Sequence, residues 1–333
     1  MLTEFSLITQ YFTRPHAPSR AVLGIGDDCA LIAPAPGMQL AISTDMLVAG
    51  RHFFDDVAAD ALGHKALAVN LSDLAAMGAT PRAFLLSLAL PQADPDWLAQ
   101  FSGGLFALAD RYGCELIGGD TTGGPLNISI TVLGEIAPGQ ALTRASAQQG
   151  DDIWVSGVLG DARLALGALR GEWTVGAAAL PALRSALERP EPRVALGQAL
   201  LGVARAALDL SDGLAGDLMH ILQRSGCSAR LDADALPGSA TLREQPLAIQ
   251  RQCTIAGGDD YELCFTAAPA MRERIAAIAV QLALPLTRIG TIELLSRETP
   301  SQPGPSQQHW TDADGRPLAG TFHGFDHFNA DRP

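Results

Sequence analysis

At 333 residues, with 47% hydrophobic and 18% charged side chains, the chain has the length and composition for two globular domains, each with its own core. No apolar run approaches the roughly 20 residues needed to span a bilayer, and a net charge of −13 disfavours nucleic acid or an anionic membrane as partner. The five cysteines form no Cys-x-x-Cys pair, which argues against zinc sites and disulfide frameworks and for reduced, buried thiols.

The segment Met1-Leu2-Thr3-Glu4-Phe5-Ser6 lacks a basic region followed by an apolar core, so a cytoplasmic protein is expected. Lys65 is the only lysine and lies between His64 and Ala66. That rules out a Walker loop, which needs Gly-Lys-Ser/Thr, and the strand lysine of a protein kinase. Gly24-Ile25-Gly26 does not complete a dinucleotide fingerprint, because Cys29 stands where the third glycine belongs. Bound phosphates must then be held by metal ions, arginines and backbone N–H groups.

In chain order, the apolar spacing of Phe5, Leu7, Ile8, Tyr11 and Phe12 predicts a short amphipathic helix over 4–13. Arg14–Arg20, with Pro15 and Pro18, reads as loop. Gly24-Ile25-Gly26-Asp27-Asp28-Cys29 then forms a turn between apolar flanks, by itself compatible with an ordinary hairpin in which Asp27 only shapes the turn. A strand over 39–45 places Ser43 and Asp45 on one face and Thr44 on the other. Residues 58–77 predict a helix, ended by Gly78 and Thr80-Pro81. Near its end, Asn70, Ser72 and Asp73 are either a satisfied local hydrogen-bond cluster or part of a site. A strand over 84–90, a helix over 95–112, a strand entering a glycine turn that presents Asp120, and a strand over 127–136 follow.

Residues 138–150, including Arg144, read as the connection between a first domain (1–137) and a second (151–333). The second opens with a strand over 152–157 and a helix over 161–169, and residues 171–192 are partly loop. A helix over 194–206 leads to Asp209-Leu210-Ser211-Asp212-Gly213, and a further helix ends at Gly226. The sequence Leu-Ser-Asp at 71–73 recurs at 210–212, as two related halves would produce. Gly258-Asp259-Asp260 is an acidic turn into a strand. A helix over 269–283 and a strand over 287–292 follow. Ser296–His309 reads as a mobile surface loop and Gly324–Phe328 as a docking tail. Mixed strands and helices of this kind define an α/β or α+β protein.

Asp28, Asp45, Asp73, Asp120, Asp209 and Asp212 stand beside small residues, several of them on strand ends and glycine turns, in both halves. Magnesium takes oxygen ligands, commonly one or two carboxylates plus phosphate and water. Phosphoryl transfer needs such ions to neutralise the donor phosphates. The pattern therefore points to metal-nucleotide chemistry.

Gly24–Ala30, Ser43-Thr44-Asp45, Lys65–Ala79, Gly118–Thr122, Asp209–Leu214 and Gly258–Leu263 together closely resemble the bacterial thiamine-monophosphate kinase family, in order from about Glu4 to Phe328. The resemblance implies the two-domain fold shared with aminoimidazole ribonucleotide synthetase, hydrogenase maturation factor E and selenophosphate synthetase, with mixed sheets and flanking helices. It implies a homodimer with nucleotide in a cleft between the domains. It implies several Mg2+ ions, with Asp28, Ser43, Thr44, Asp45, Asp73, Asp120, Asp209 and Asp212 as ligands, some through water or backbone oxygen. Gly119, Asp120, Arg144 and Ser211 correspond to contacts with ATP, and His52, Asp259 and Phe325 to the thiamine-phosphate side. Asp259 stands where relatives often carry Glu, and Phe325 where some carry another aromatic such as Tyr. The implied reaction is direct transfer of the ATP γ-phosphoryl group to thiamine monophosphate, without a general base. Two alternatives are ATP-dependent activation of an amide or selenide, and a non-catalytic metal- or nucleotide-binding regulator.

Overall fold

A computed structural model describes residues 3–14, 21–295, 297–299, 302–303, 305–320, 322 and 324–325. The expected loop after Arg14 and the tail residues Asp326, His327 and Phe328 lie outside the described residues. By packing, the chain divides into a first unit, Met1–Leu74 with Ala79–Gln140, and a second, Ala75–Gly78 with Ala141–Pro333.

The first unit begins with α1 (Glu4–Leu7), capped by Thr3 and continuing as a π-helical turn over Ile8–Phe12 that buries Leu7 and Phe12. Residues 24–30 form a loop closed by the bridge between Leu23 and Leu31, rather than a hairpin with extended arms. The unit's sheet contains β1 (Gln39–Val48), β2 (Thr80–Leu90), β3 (Glu115–Gly123) and β4 (Asn127–Ile136), in the order β1-β4-β2-β3. Only β2 and β3 run parallel. The helices are α2 (Ala59–Met77) and α3 (Pro95–Tyr112). Asp94 caps the N-terminus of α3 and Gly113, left-handed, its C-terminus, so both boundaries fall where the residue types place them.

β2 starts at Thr80, four residues before the predicted strand. Pro81 is accommodated because the ladder to β4 shifts register between Pro81 and Ala83 and the ladder to β3 begins only at Ala83. Gly118-Gly119-Asp120 lies within β3 and is not a turn.

The second unit holds a six-stranded sheet of β5 (Asp152–Ser156), β6 (Ala206–Asp209), β7 (Cys227–Asp232), β8 (Leu263–Ala267), β9 (Leu286–Leu294) and β12 (Gln308–Thr311). Their order is β12-β7-β9-β5-β8-β6, and the sheet's only parallel pair is β12 with β7. The helices are α4 (Asp161–Arg170), α5 (Leu180–Glu188), α6 (Val194–Ala199), α7 (Leu214–Ser225), α8 (Ala240–Arg243), α9 (Leu247–Ala256) and α10 (Arg272–Leu282). Ile153, Val155, Leu208, Leu218, Ile221, Ala229, Ile255 and Ile289 form its core. α6 is shorter than predicted: the chain unwinds after Ala199 through Gly202, at φ 71, and re-enters the sheet as β6. Within the predicted surface loop, β10 (Arg297–Thr299) pairs with β11 (Gln302–Pro303). β12, which begins at its end, joins the main sheet. The expected mixed α/β architecture with flanking helices is present in both units.

Candidate functional site

In the first unit, the 24–30 loop and β3 face a common cleft of about 950 Å³. Asp27, Asp28, Gly119 and Asp120 line it alongside the apolar side chains of Phe5, Ile8 and Leu133. Both aspartates of the loop are exposed, and Asp27, expected only to shape the turn, lines the cleft with Asp28. Gly119 has φ 148, and a Cβ there would lie 1.8 Å from the carbonyl oxygen of Leu86 on the neighbouring strand. Only glycine lets β3 pass so close to β2 before it delivers Asp120 to the cleft.

Alternation along β1 separates the Ser43-Thr44-Asp45 triplet. Ser43 Oγ donates to Asp73 Oδ2 at 2.5 Å, and the N–H of Asp45 donates to Asn70 Oδ1 at 3.1 Å. Asn70 also donates to the carbonyl of Ala66 at 3.0 Å. The polar residues of α2 therefore serve the strand as well as their own helix. Thr44 points to the opposite face, donating to the carbonyl of Ile130 at 3.0 Å and accepting from Thr131 at 3.1 Å. His52 Nδ1 accepts the N–H of Val48 at 3.0 Å, which leaves its proton on Nε2. Lys65, almost fully buried, donates to the carbonyl of His52 at 3.3 Å.

In the second unit, the backbone gathers three separate segments. The N–H of Asp259 donates to the carbonyl of Ser211, that of Tyr261 to Leu210, and that of Phe325 to Asp212, each at 2.8 Å. Asp259 and Tyr261 have φ of 66 and 49, left-handed conformations that side chains other than glycine adopt at a cost. Ser211, Asp212, Asp259 and Phe325 thus lie together. Arg144 is exposed, and its carbonyl accepts Ser225 Oγ at 2.9 Å.

Asp217 is not among the candidate residues of the sequence. It lies on the buried face of α7 with Leu214, Leu218 and Ile221, and that acid on an apolar helical face was the available signal. Burial, then the charges of Asp212 and Asp209, push its carboxyl up to about 8. Two further acids support the fold. Asp260 accepts the N–H of Gly160 at 2.9 Å ahead of α4, and desolvation with neighbouring Glu262 and Asp161 holds it well above the usual carboxylate range. Glu262, buried, accepts Arg193 Nε at 2.7 Å.

Among the described residues, no three His, Cys, Asp or Glu side chains already converge as a metal cage. The donor set is oxygen-rich and spread over pairs, and magnesium usually takes only one or two protein carboxylates and completes its shell with phosphate and water. The residues fit that ion. Among the described residues, no helix is long and apolar enough to cross a membrane.

Residues 26–136 match the AIR synthase related protein N-terminal domain, and residues 148–298 the corresponding C-terminal domain. Thiamine-monophosphate kinase of Salmonella typhimurium is 45% identical over 332 residues, 98% of each chain. The crystal structure of thiamine-monophosphate kinase from Stenotrophomonas maltophilia K279a is 48% identical, with a TM-score of 0.80 over 90% of this chain and 92% of that one. The structure of AaThiL complexed with AMPPCP and TMP is 29% identical, with a TM-score of 0.73 over 89% of both chains. A match of this extent, on a chain whose acidic loops gather as described, makes it a member of the thiamine-monophosphate kinase family, within the AIR synthase related proteins.

Proposed function

We propose that the chain transfers the γ-phosphoryl group of ATP to the phosphate of thiamine monophosphate, giving thiamine diphosphate and ADP. The observation that carries this reading is the shared cleft of Asp28, Gly119 and Asp120: carboxylates for a phosphate-bound metal beside a bare backbone strand and apolar walls suited to a base. We assign Asp28, Ser43, Thr44, Asp45, Asp73, Asp120, Asp209 and Asp212 to magnesium, Thr44 through its backbone oxygen because its hydroxyl is engaged elsewhere. Bound magnesium supplies neutralisation of the donor phosphates and alignment of their oxygens.

Gly119, Asp120, Arg144 and Ser211 are assigned to ATP. His52 offers its Nε2–H to the acceptor phosphate, Phe325 a half-exposed ring for stacking, and Asp259 a carboxylate for the cationic thiazolium. A phosphate monoester has its second pKa near about 6, so the acceptor is already an anion and no side chain need remove a proton. The chain's residues act by holding two anions in line.

The same reading includes a homodimer. On the face of β1 away from Asp73, Leu40, Ile42, Met46 and Val48 are exposed as one apolar row, which a second copy would cover. It also includes a cytoplasmic location, supported by the burial of Cys114, Cys227, Cys253 and Cys264, as expected of reduced core thiols.

Chromatography of products after incubation with ATP, magnesium and thiamine monophosphate tests the reaction. Thiamine diphosphate and ADP in equal amounts are expected. ADP without thiamine diphosphate would overturn the assignment in favour of ATP-dependent activation chemistry. ATP binding that persists in excess chelator would remove the metal from the account.

A further inference from the structure

Asp217 has no role in the chemistry above, yet it is 5% exposed and faces the loop that carries Ser211 and Asp212. Its carboxyl accepts the N–H of Asp212 at 3.0 Å. That N–H belongs to a planar trans peptide, so the carbonyl of that peptide points the opposite way. The peptide joining Ser211 to Asp212 presents the Ser211 carbonyl, which takes the N–H of Asp259 at 2.8 Å. The peptide joining Leu210 to Ser211 presents the Leu210 carbonyl, which takes the N–H of Tyr261, also at 2.8 Å.

The 211–212 peptide plane is therefore held on one edge by Asp217 and on the other by the 259–261 loop, which also binds the preceding carbonyl, that of Leu210. The residues received, Asp259 and Tyr261, are the two left-handed positions of that loop, with φ 66 and 49. Such conformations persist only when the surroundings over-determine them. One residue further on, the Asp212 carbonyl takes the N–H of Phe325 at 2.8 Å.

We propose that Asp217 is a positioning residue. By fixing the tilt of the 211–212 peptide it sets both the Ser211 and Asp212 side chains assigned to nucleotide and metal and the Asp259 and Phe325 side chains assigned to thiamine phosphate. This rests on the reading given under the proposed function. A residue that only stabilised the core would lower stability and leave both Michaelis constants alone.

The test is steady-state kinetics of Asp217→Ala and Asp217→Asn with ATP, magnesium and thiamine monophosphate, read beside their Tm values. Asparagine keeps a carbonyl oxygen to accept the N–H of Asp212, whereas alanine leaves it unpaired. Asp217→Ala is expected to raise the KM for ATP and the KM for thiamine monophosphate together, each by about tenfold, the effect of about 1.4 kcal/mol. Asp217→Asn is expected to stay within about threefold of the wild type, as an acceptor-retaining substitution should. A lower Tm with both KM values unchanged, a rise in only one KM, or an asparagine variant as damaged as the alanine one would overturn the proposal. Should Asp217→Ala not accumulate as folded protein, Asp217→Ser, with a shorter acceptor, is measured the same way and judged by the same outcomes. Wild-type protein without turnover would remove the reading of the reaction and this inference with it. Wild-type turnover with unchanged variant KM values removes this inference alone.

Discussion

The hydroxyl of Ser43 on β1 donates to the Asp73 carboxylate on α2 at 2.5 Å, joining residues 30 positions apart. The contact orients Oδ2 of Asp73. Asp73→Asn keeps an oxygen to accept the Ser43 proton but removes the charge. The expected result is a shift of about 10–100-fold in the magnesium concentration for half-maximal turnover, with Tm close to the wild type. An unchanged magnesium dependence would take Asp73 out of the metal site.

The apolar row on β1 gives a prediction about assembly. Ile42 and Met46 are 62% and 55% exposed, on the face opposite Asp73. A charge at either position would be buried without a partner at a self-complementary interface. Ile42→Arg with Met46→Arg should halve the mass measured by light scattering while leaving circular dichroism unchanged. A wild-type chain that runs as a monomer would place no second copy on this face.

Some of this was legible in the sequence because the determinants are local. Asp94 and Gly113 bound α3 by capping chemistry, and strand alternation alone separates Thr44 from Ser43 and Asp45. What escaped depends on distant partners. Gly118-Gly119-Asp120 reads as a turn until Leu86 is seen beside Gly119, where the glycine serves strand packing. β12 emerges from the end of a Pro/Ser/Gln-rich stretch because β7 offers it an edge, with the N–H of Ala229 donating to the Gln307 carbonyl at 2.9 Å. The gathering of Asp212, Asp259 and Phe325 is made by backbone hydrogen bonds, which carry no side-chain signature.

Glu262 illustrates a carboxylate near the site whose task is structural. It is buried and accepts Arg193 Nε at 2.7 Å, a second Arg193 nitrogen, and the hydroxyl of Ser156. Arg193→Met strands that charge and should cost about 3–5 kcal/mol in denaturant unfolding. The double variant Arg193→Met with Glu262→Met should recover part of the loss, because no uncompensated ion remains. A loss below about 1 kcal/mol for the single variant would show that Glu262 does not depend on Arg193.

At the first residue of β5, Arg272 donates to Asp152 at 2.6 and 2.8 Å, and its hydrogen bond holds that carboxyl below the usual carboxylate range despite burial. Arg288 adds to the effect. Because the folded value is depressed, the contribution is complete above the unfolded value of about 3.9 and disappears as pH falls through the folded one. Asp152→Asn should therefore unfold at a lower temperature than the wild type at pH 7, with the gap closing on acidification below about pH 4. A gap that stayed constant with pH would mean that the charge on Asp152 contributes nothing.

Gly119 allows a test that separates local geometry from the general cost of altering a glycine. Its φ is 148, and an added Cβ would meet the Leu86 carbonyl oxygen at 1.8 Å, a backbone atom that cannot rotate away. Gly119→Ala must push β3 from β2 and carry Asp120 with it. A loss of about 2 kcal/mol or more is expected, together with weakened binding of magnesium-ATP by calorimetry. Gly123, at the end of the same strand, has open space where its Cβ would go. Gly123→Ala should change stability by no more than about 0.5 kcal/mol and leave nucleotide binding intact. If the two variants behaved alike, the close approach of β2 would not be what requires glycine at position 119.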